Sequence, residues 1–170
     1  LYAYKLEPSA DAAIGCAAMA FKKGDIDGSV KFFDEAISYE TDNVKKAESA
    51  YKAASVLASA KKISQARSYA QKAISFNENY GAPYILIAQL YAGNYKWNDE
   101  PALNKCTFFA AIDKLQRAKA VDPSVAEEAN KLISSYSAYT PEAKDLFMLG
   151  YKAGDRITIG GWIGETTTIR

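Results

Sequence analysis

The side chains able to do chemistry in this sequence are few, and their spacing argues against most of it. The 170 residues include two cysteines, Cys16 and Cys106, and no histidine. Neither cysteine belongs to a Cys-x-x-Cys pair, so the usual zinc sites cannot be assembled. A Ser-His-Asp or Cys-His nucleophile system is equally out of reach of this chain. Asp25-Ile26-Asp27-Gly28 has the start of a calcium loop, yet the twelfth position, which should supply a bidentate carboxylate, is Ala36. Gly160-Gly161-x-x-Gly164 is not followed by Lys-Ser/Thr and does not open a helix, so it is not a phosphate loop. The acid pairs Glu127-Glu128 and Asp99-Glu100 are sequence neighbours. Neighbours on a helix point about 100° apart, so these carboxylates do not converge for acid–base work and read as solvated surface. The expectation is a chain without enzymatic activity, metal or cofactor, in which Cys16 and Cys106 are small core residues.

Composition narrows the partners as well. Lys plus Arg number 21 and Asp plus Glu 20, a net charge of +1. That balance supplies no electrostatic reason to expect nucleic acid or an acidic membrane. No run of 18 apolar residues is present, so no spanning helix is expected. At 49% hydrophobic and 24% charged, the chain has the composition of a globular protein with a real core.

The elements that must position any surface are helical. Residues 81–92, Gly-Ala-Pro-Tyr-Ile-Leu-Ile-Ala-Gln-Leu-Tyr-Ala, are apolar nearly all round, which predicts a helix buried on more than one side. Within it Tyr84, Ile87, Ala88 and Tyr91 run large, large, small, large, so a neighbouring helix can approach at the small residue. A second pattern recurs three times: Ser29, Phe33, Ala36; Ala66, Ala70, Ala73; Ala111, Leu115, Ala118. The final alanines lie 37 and 45 residues apart (73 − 36 and 118 − 73).

These residues predict helix pairs at 9–23 with 27–40, at 44–60 with 64–77, and at 82–92 with about 104–120. Ser9 is the expected N-cap of the first helix. Gly24-Asp25 forms the first corner, and Lys61-Lys62 replaces the glycine at the second. The third corner is a long polar insertion, residues 93–105. Tyr95 and Trp97 in it are either partner contacts or side chains that fold back over the adjacent helices, the second being preferred. Further helices are predicted at 124–136, capped by Ser124, and at 140–149, with Thr140 as N-cap before Pro141. Residues 156–159 and 166–169 are β-branched around Gly160-Gly161-Trp162-Ile163-Gly164 and predict a short hairpin. A lone hairpin is marginal, so Trp162, Ile157 and Ile159 must pack on the helices or on a partner.

The Tyr84-x2-Ile87-Ala88-x2-Tyr91 spacing and the Ala-x3-Phe-x2-Ala pattern resemble the tetratricopeptide repeat, whose period is about 34 residues. Both observed intervals then imply insertions, near residues 43–46 and within 93–105. Ala3-Tyr4-Lys5-Leu6-Glu7-Pro8 is similar to the last turn of a repeat, with its terminal Pro. The expected organisation is therefore a partial repeat at 1–8, three repeats over 9–123, capping helices over 124–152 and a hairpin tail over 153–170, with further repeats upstream. The resemblance implies an all-α superhelix of helix pairs. It also implies a non-catalytic scaffold whose concave groove takes a protein or peptide partner. By register the lining would be Ile14, Ala18, Phe21, Glu48, Tyr51, Ser55, Ile85 and Gln89. Some members clamp a peptide's C-terminal carboxylate with a basic and Asn cluster; Ile14, Ala18, Ala82 and Leu86 stand at four of those positions here, so a chaperone-tail receptor is not expected. The alternative is a structural or self-associating protein whose groove is filled by its own C-terminal segment. The tail resembles the C-terminus of Bacteroidetes tetratricopeptide proteins, which implies the periplasm or cell envelope, with the cytoplasm as the alternative.

Overall fold

The computed structural model describes residues 8–170; the partial repeat expected at 1–8 lies, except for Pro8, outside the described residues. The chain divides into two compact units, Leu1–Pro83 and Tyr84–Arg170.

The first unit holds α1 (Ala10–Lys22), α2 (Ile26–Tyr39), α3 (Asn43–Ser59) and α4 (Ile63–Phe76). Consecutive helices pack on one another, α1 on α2, α2 on α3 and α3 on α4. Alanine lets the backbones come close. Ala17 and Ala53 meet Phe33 and Val56 in one apolar cluster, and Ala47, Ala50 and Ala73 meet Ile37 in a second. Ser29 is fully buried within this packing, and its hydroxyl donates to the Ala17 carbonyl at 2.8 Å, joining α2 to α1.

Helix starts follow local chemistry. The Ser9 hydroxyl accepts from Ala12 N at 3.1 Å and caps α1. Asp25 caps α2 through Gly28 N at 2.9 Å, and the Asp27 carboxylate pairs with Lys62 at 2.8 Å. The calcium-like tetrapeptide is thus a helix cap with a surface ion pair. The two corners are alike despite their sequences. Gly24 has φ +79° and Lys61 has φ 63°. Asp25 N donates to Ala20 O at 2.9 Å, and Lys62 N to Leu57 O at 2.9 Å. A lysine has been forced into the left-handed conformation that glycine takes freely.

The second unit begins within α5 (Ala82–Gly93) and continues with α6 (Pro101–Lys105), α7 (Thr107–Val121), a 3-10 turn (Pro123–Val125), α8 (Ala126–Ser137), α9 (Ala143–Met148) and the strands β1 (Arg156–Thr158) and β2 (Thr166–Thr168). Tyr84, Ile85, Ile87, Ala88, Leu90 and Tyr91 are all buried, as the all-round apolar pattern requires. The nine residues of the recurring pattern are buried too, from Ser29 through Ala118.

Three local expectations change. The helix predicted over 104–120 is split at Cys106, which ends α6 and begins α7. Ser124 does not cap a helix: Asp122 caps the 3-10 turn, its carboxylate accepting from Ser124 N at 3.1 Å and from the Ser124 hydroxyl at 2.6 Å, and α8 follows Val125 with no side-chain cap. Thr140 donates to Ser137 O at 2.8 Å instead of capping, and α9 starts only at Ala143. The strands form an antiparallel hairpin in the register Arg156↔Thr168, Ile157↔Thr167, Thr158↔Thr166. Its alternation buries Ile157, Ile159, Thr167 and Ile169 and leaves Thr158 and Thr166 exposed.

Candidate functional site

The candidate groove residues of the first unit sit on the first helix of each pair. Ile14, Ala18 and Phe21 follow i, i+4, i+7 along α1, and Glu48, Tyr51 and Ser55 follow i, i+3, i+7 along α3, so each set shares a face. Ile14 is half-buried against the cluster that contains Ala53 and Val56 of α3. Ala18 is exposed, and Phe21 is 44% exposed, a large apolar side chain left in water. Glu48 is exposed. Tyr51 is half-buried beside Phe76 and Tyr80 and meets the Tyr80 ring edge-on, centroids 5.5 Å apart at 67°. The Ser55 hydroxyl donates back to Tyr51 O at 3.1 Å. This local bond occupies its donor.

The remaining candidates belong to the second unit. Gln89 is exposed, but Ile85 is 4% exposed and presents almost no surface. Tyr95 and Trp97 both turn inward. The Tyr95 ring lies 5.2 Å from that of Phe108, and the fully buried Thr107 donates to Tyr95 O at 2.8 Å. The Trp97 indole N–H donates to Leu103 O at 3.1 Å. Its ring abuts Gly160 so closely that a Cβ there would fall 2.7 Å from Cε3. Asn104 staples the same insertion: Oδ1 accepts from Trp97 N at 2.8 Å and Asn98 N at 2.7 Å, while Nδ2 donates to Asn98 O at 2.6 Å. The insertion is an ordered element held by its own polar side chains, and Asn104 carries a role that its sequence position did not reveal.

The hairpin docks within its own unit. The Trp162 ring packs edge-on to Tyr91, centroids 5.4 Å apart at 69°, and its indole N–H donates to Asn94 O at 3.2 Å. Asp113 of α7 gathers the far end, accepting from the Thr167 hydroxyl at 2.6 Å and pairing with Arg170, whose guanidinium also lies over the Phe109 ring. Lys114 pairs with Glu165 at 2.6 Å. These contacts link α7 and the tail across more than fifty residues of sequence.

Chemistry is sparse throughout. Among the described residues no group of three His, Cys, Asp or Glu could hold a metal ion. Cys16 and Cys106 are both free and buried. Burial pushes the Cys106 thiol up to about 11 and raises the Tyr136 phenol. The Tyr69 phenol is also raised, first by burial and then by its hydrogen bonds to both Asp34 oxygens at 2.9 and 2.7 Å. Each perturbed group is accounted for by packing or by one local partner. Among the described residues no helix is long and apolar enough to cross a membrane.

Solved structures identify the fold. The chain is similar to the TPR2B domain of yeast Sti1 in a pHsp70 complex, with a TM-score of 0.59 and 22% identity over 76% of this chain and 96% of that one. It is similar to the first TPR of Spaghetti (RPAP3) bound to the HSP90 peptide SRMEEVD, with a TM-score of 0.57 and 17% identity over 76% of this chain and 93% of that one. TTC0263, a thermophilic TPR protein of Thermus thermophilus, aligns with a TM-score of 0.55 and 16% identity over 82% of this chain and 74% of that one. No family model and no curated protein matches the sequence. The fold is that of paired tetratricopeptide-repeat helices, with a two-stranded antiparallel hairpin at the C-terminus.

Proposed function

We propose that the chain is a non-catalytic scaffold that holds an apolar segment of a protein or peptide partner on the first-helix faces of its repeats. The observation that supports this most is Phe21, a large apolar side chain nearly half exposed on the same face of α1 as Ile14. Tyr51 supplies a second aromatic on α3 that is braced by Tyr80 rather than left mobile. Braced aromatics make good anchors because little entropy is lost on binding. The yeast Sti1 and RPAP3 neighbours are complexes with chaperone-derived partners. In this chain Ile14 and Ala18 stand where a carboxylate clamp would need polar groups, which favours an apolar segment over an acidic tail.

The test is selection of peptides against the chain, followed by measured affinities for Phe21→Ala and Tyr51→Glu. Both variants are expected to lose at least tenfold in affinity with an unchanged circular dichroism spectrum, and SRMEEVD is expected not to bind. Unchanged affinity in both variants would remove this surface from consideration. The second reading is a structural or self-associating protein whose groove is filled by its own C-terminal segment, and the packing of Trp162 on Tyr91 within its own unit favours the filled groove. Light scattering across a concentration series separates the two, since the scaffold reading requires no growth in mass. An envelope location, carried by the resemblance of the tail to Bacteroidetes proteins, belongs to the same proposal.

A further inference from the structure

A cavity of about 450 Å³ opens in the second unit between α9 and the end of the tail. Its size falls within the range of small-molecule sites, roughly 300–1,000 Å³. The deep surface is apolar: Leu146 and Ile169 are 1% and 3% exposed, and Tyr151 is half-buried beside them. Phe147 and Met148 stand at its mouth, 74% and 84% exposed, and leave this part of α9 incompletely covered. Large apolar side chains held in water in this way mark a binding surface more often than chance allows.

The charge around the cavity is one-sided. Lys144, Lys152 and Arg170 line it, and among the described residues no acidic side chain does. In a chain with 21 basic and 20 acidic residues, three bases without an acid is a local departure from balance. The acids nearby are committed elsewhere or weakly engaged. Asp113 holds Arg170 from α7. Glu142 lies 3.3 Å from the Lys144 ammonium, but both side chains are more than two-thirds exposed, and such pairs contribute little. Asp155 accepts from the Lys152 backbone N–H at 2.9 Å.

We propose that this cavity binds a single-chain apolar molecule carrying one anionic headgroup, with the chain against Leu146 and Ile169 and the headgroup between Lys144 and Lys152. An apolar tail matches the floor, and a monoanion matches a rim whose two exposed ammonium groups face only one carboxylate, the solvent-screened Glu142 beside Lys144. A neutral chain would lose the rim, and a cation would be repelled by it. The site lies on other residues than the first-helix faces of α1 and α3, and the two proposals stand or fall separately.

The probe is decanoate, kept below its self-association concentration, with decan-1-ol and decyltrimethylammonium as neutral and cationic controls of equal chain length. Binding to the full chain is followed by amide chemical shifts and by calorimetry. Decanoate is expected to shift the Tyr151, Ala153 and Ile169 amides and to bind at least tenfold more tightly than decan-1-ol. Decyltrimethylammonium is expected not to bind there. K144E combined with K152E, both exposed and distant from the core, is expected to weaken decanoate at least tenfold without changing the circular dichroism spectrum. Equal affinity for decan-1-ol, an unaffected double variant, shifts confined to other residues, or no binding by decanoate would each overturn the proposal. Occupation of the cavity only by the apolar C-terminus of a peptide would overturn it too.

Discussion

Asn104→Ala tests whether the insertion is held by a single side chain. Asn104 is 9% exposed and makes three hydrogen bonds: from Trp97 N and Asn98 N to its oxygen, and from its nitrogen to Asn98 O. Two backbone donors facing one atom leave only one orientation of the amide that satisfies every partner. A typical hydrogen bond contributes about 1 kcal/mol net, and a stranded buried group costs about 1–3 kcal/mol. Asn98 is exposed and water can replace its lost partner, whereas Trp97 is half-buried and its N–H is left poorly solvated. The expected loss is therefore about 2–3 kcal/mol, less than the simple sum of three bonds and a stranded group because water takes over at Asn98. Trp97 and Trp162 are the two tryptophans of the chain, and both lie in the unit Tyr84–Arg170. Tryptophan fluorescence during urea unfolding consequently reports on the relevant unit. With a urea slope of about 2 kcal/mol/M, the midpoint should fall by roughly 1–1.5 M. Asn104→Asp keeps the acceptor for both N–H groups but turns a carboxylate oxygen toward Asn98 O, where the amide donated at 2.6 Å, so it should also destabilise. A midpoint within 0.2 M (~0.4 kcal/mol) of the parent for Asn104→Ala, or for Asn104→Asp, would refute the reasoning.

Two other outcomes follow from strain and from burial. Lys61→Gly should stabilise the first unit by about 0.5–1 kcal/mol, because relief of the left-handed strain outweighs the added freedom of glycine in the unfolded chain; thermal unfolding followed by circular dichroism would show it, and a loss of stability would contradict the assigned strain. Burial pushes the Cys106 thiol from its ordinary value of 9.0 up to about 11 in the folded chain, so the unfolded chain releases that proton first as pH rises. Stability from this group is complete below about pH 9 and declines from there toward pH 11. Urea midpoints measured across that window should fall less steeply in Cys106→Ala than in the parent, and parallel curves would exclude a contribution from this thiol.

The helical architecture was readable because its signals are short-ranged. Ser29, Phe33 and Ala36, and their counterparts to Ala118, sit three and four residues apart, the spacing at which a helix repeats a face, and all are buried. Tyr84, Ile87, Ala88 and Tyr91 obey the same rule. The cap at Ser9 acts over three residues, whereas the Asp25 cap stands where only a corner is expected. The hairpin was legible from β-branched alternation alone. The site was less so: the register put Phe21 and Tyr51 on helix faces, but it could not distinguish exposed Gln89 from buried Ile85 four residues earlier.

What the sequence by itself determined is which segments become helices or strands and which face of each helix is apolar. What tertiary structure decided is what each face meets. The Lys61 corner adopts a glycine conformation because the helices on both sides must pack, a demand that the dipeptide Lys-Lys does not state. Trp162 finds Asn94 across 68 residues, and Thr167 finds Asp113 across 54. Periodicity operates within a turn or two of chain, while docking depends on shape and charge complementarity between segments that the chain brings together only after each has formed.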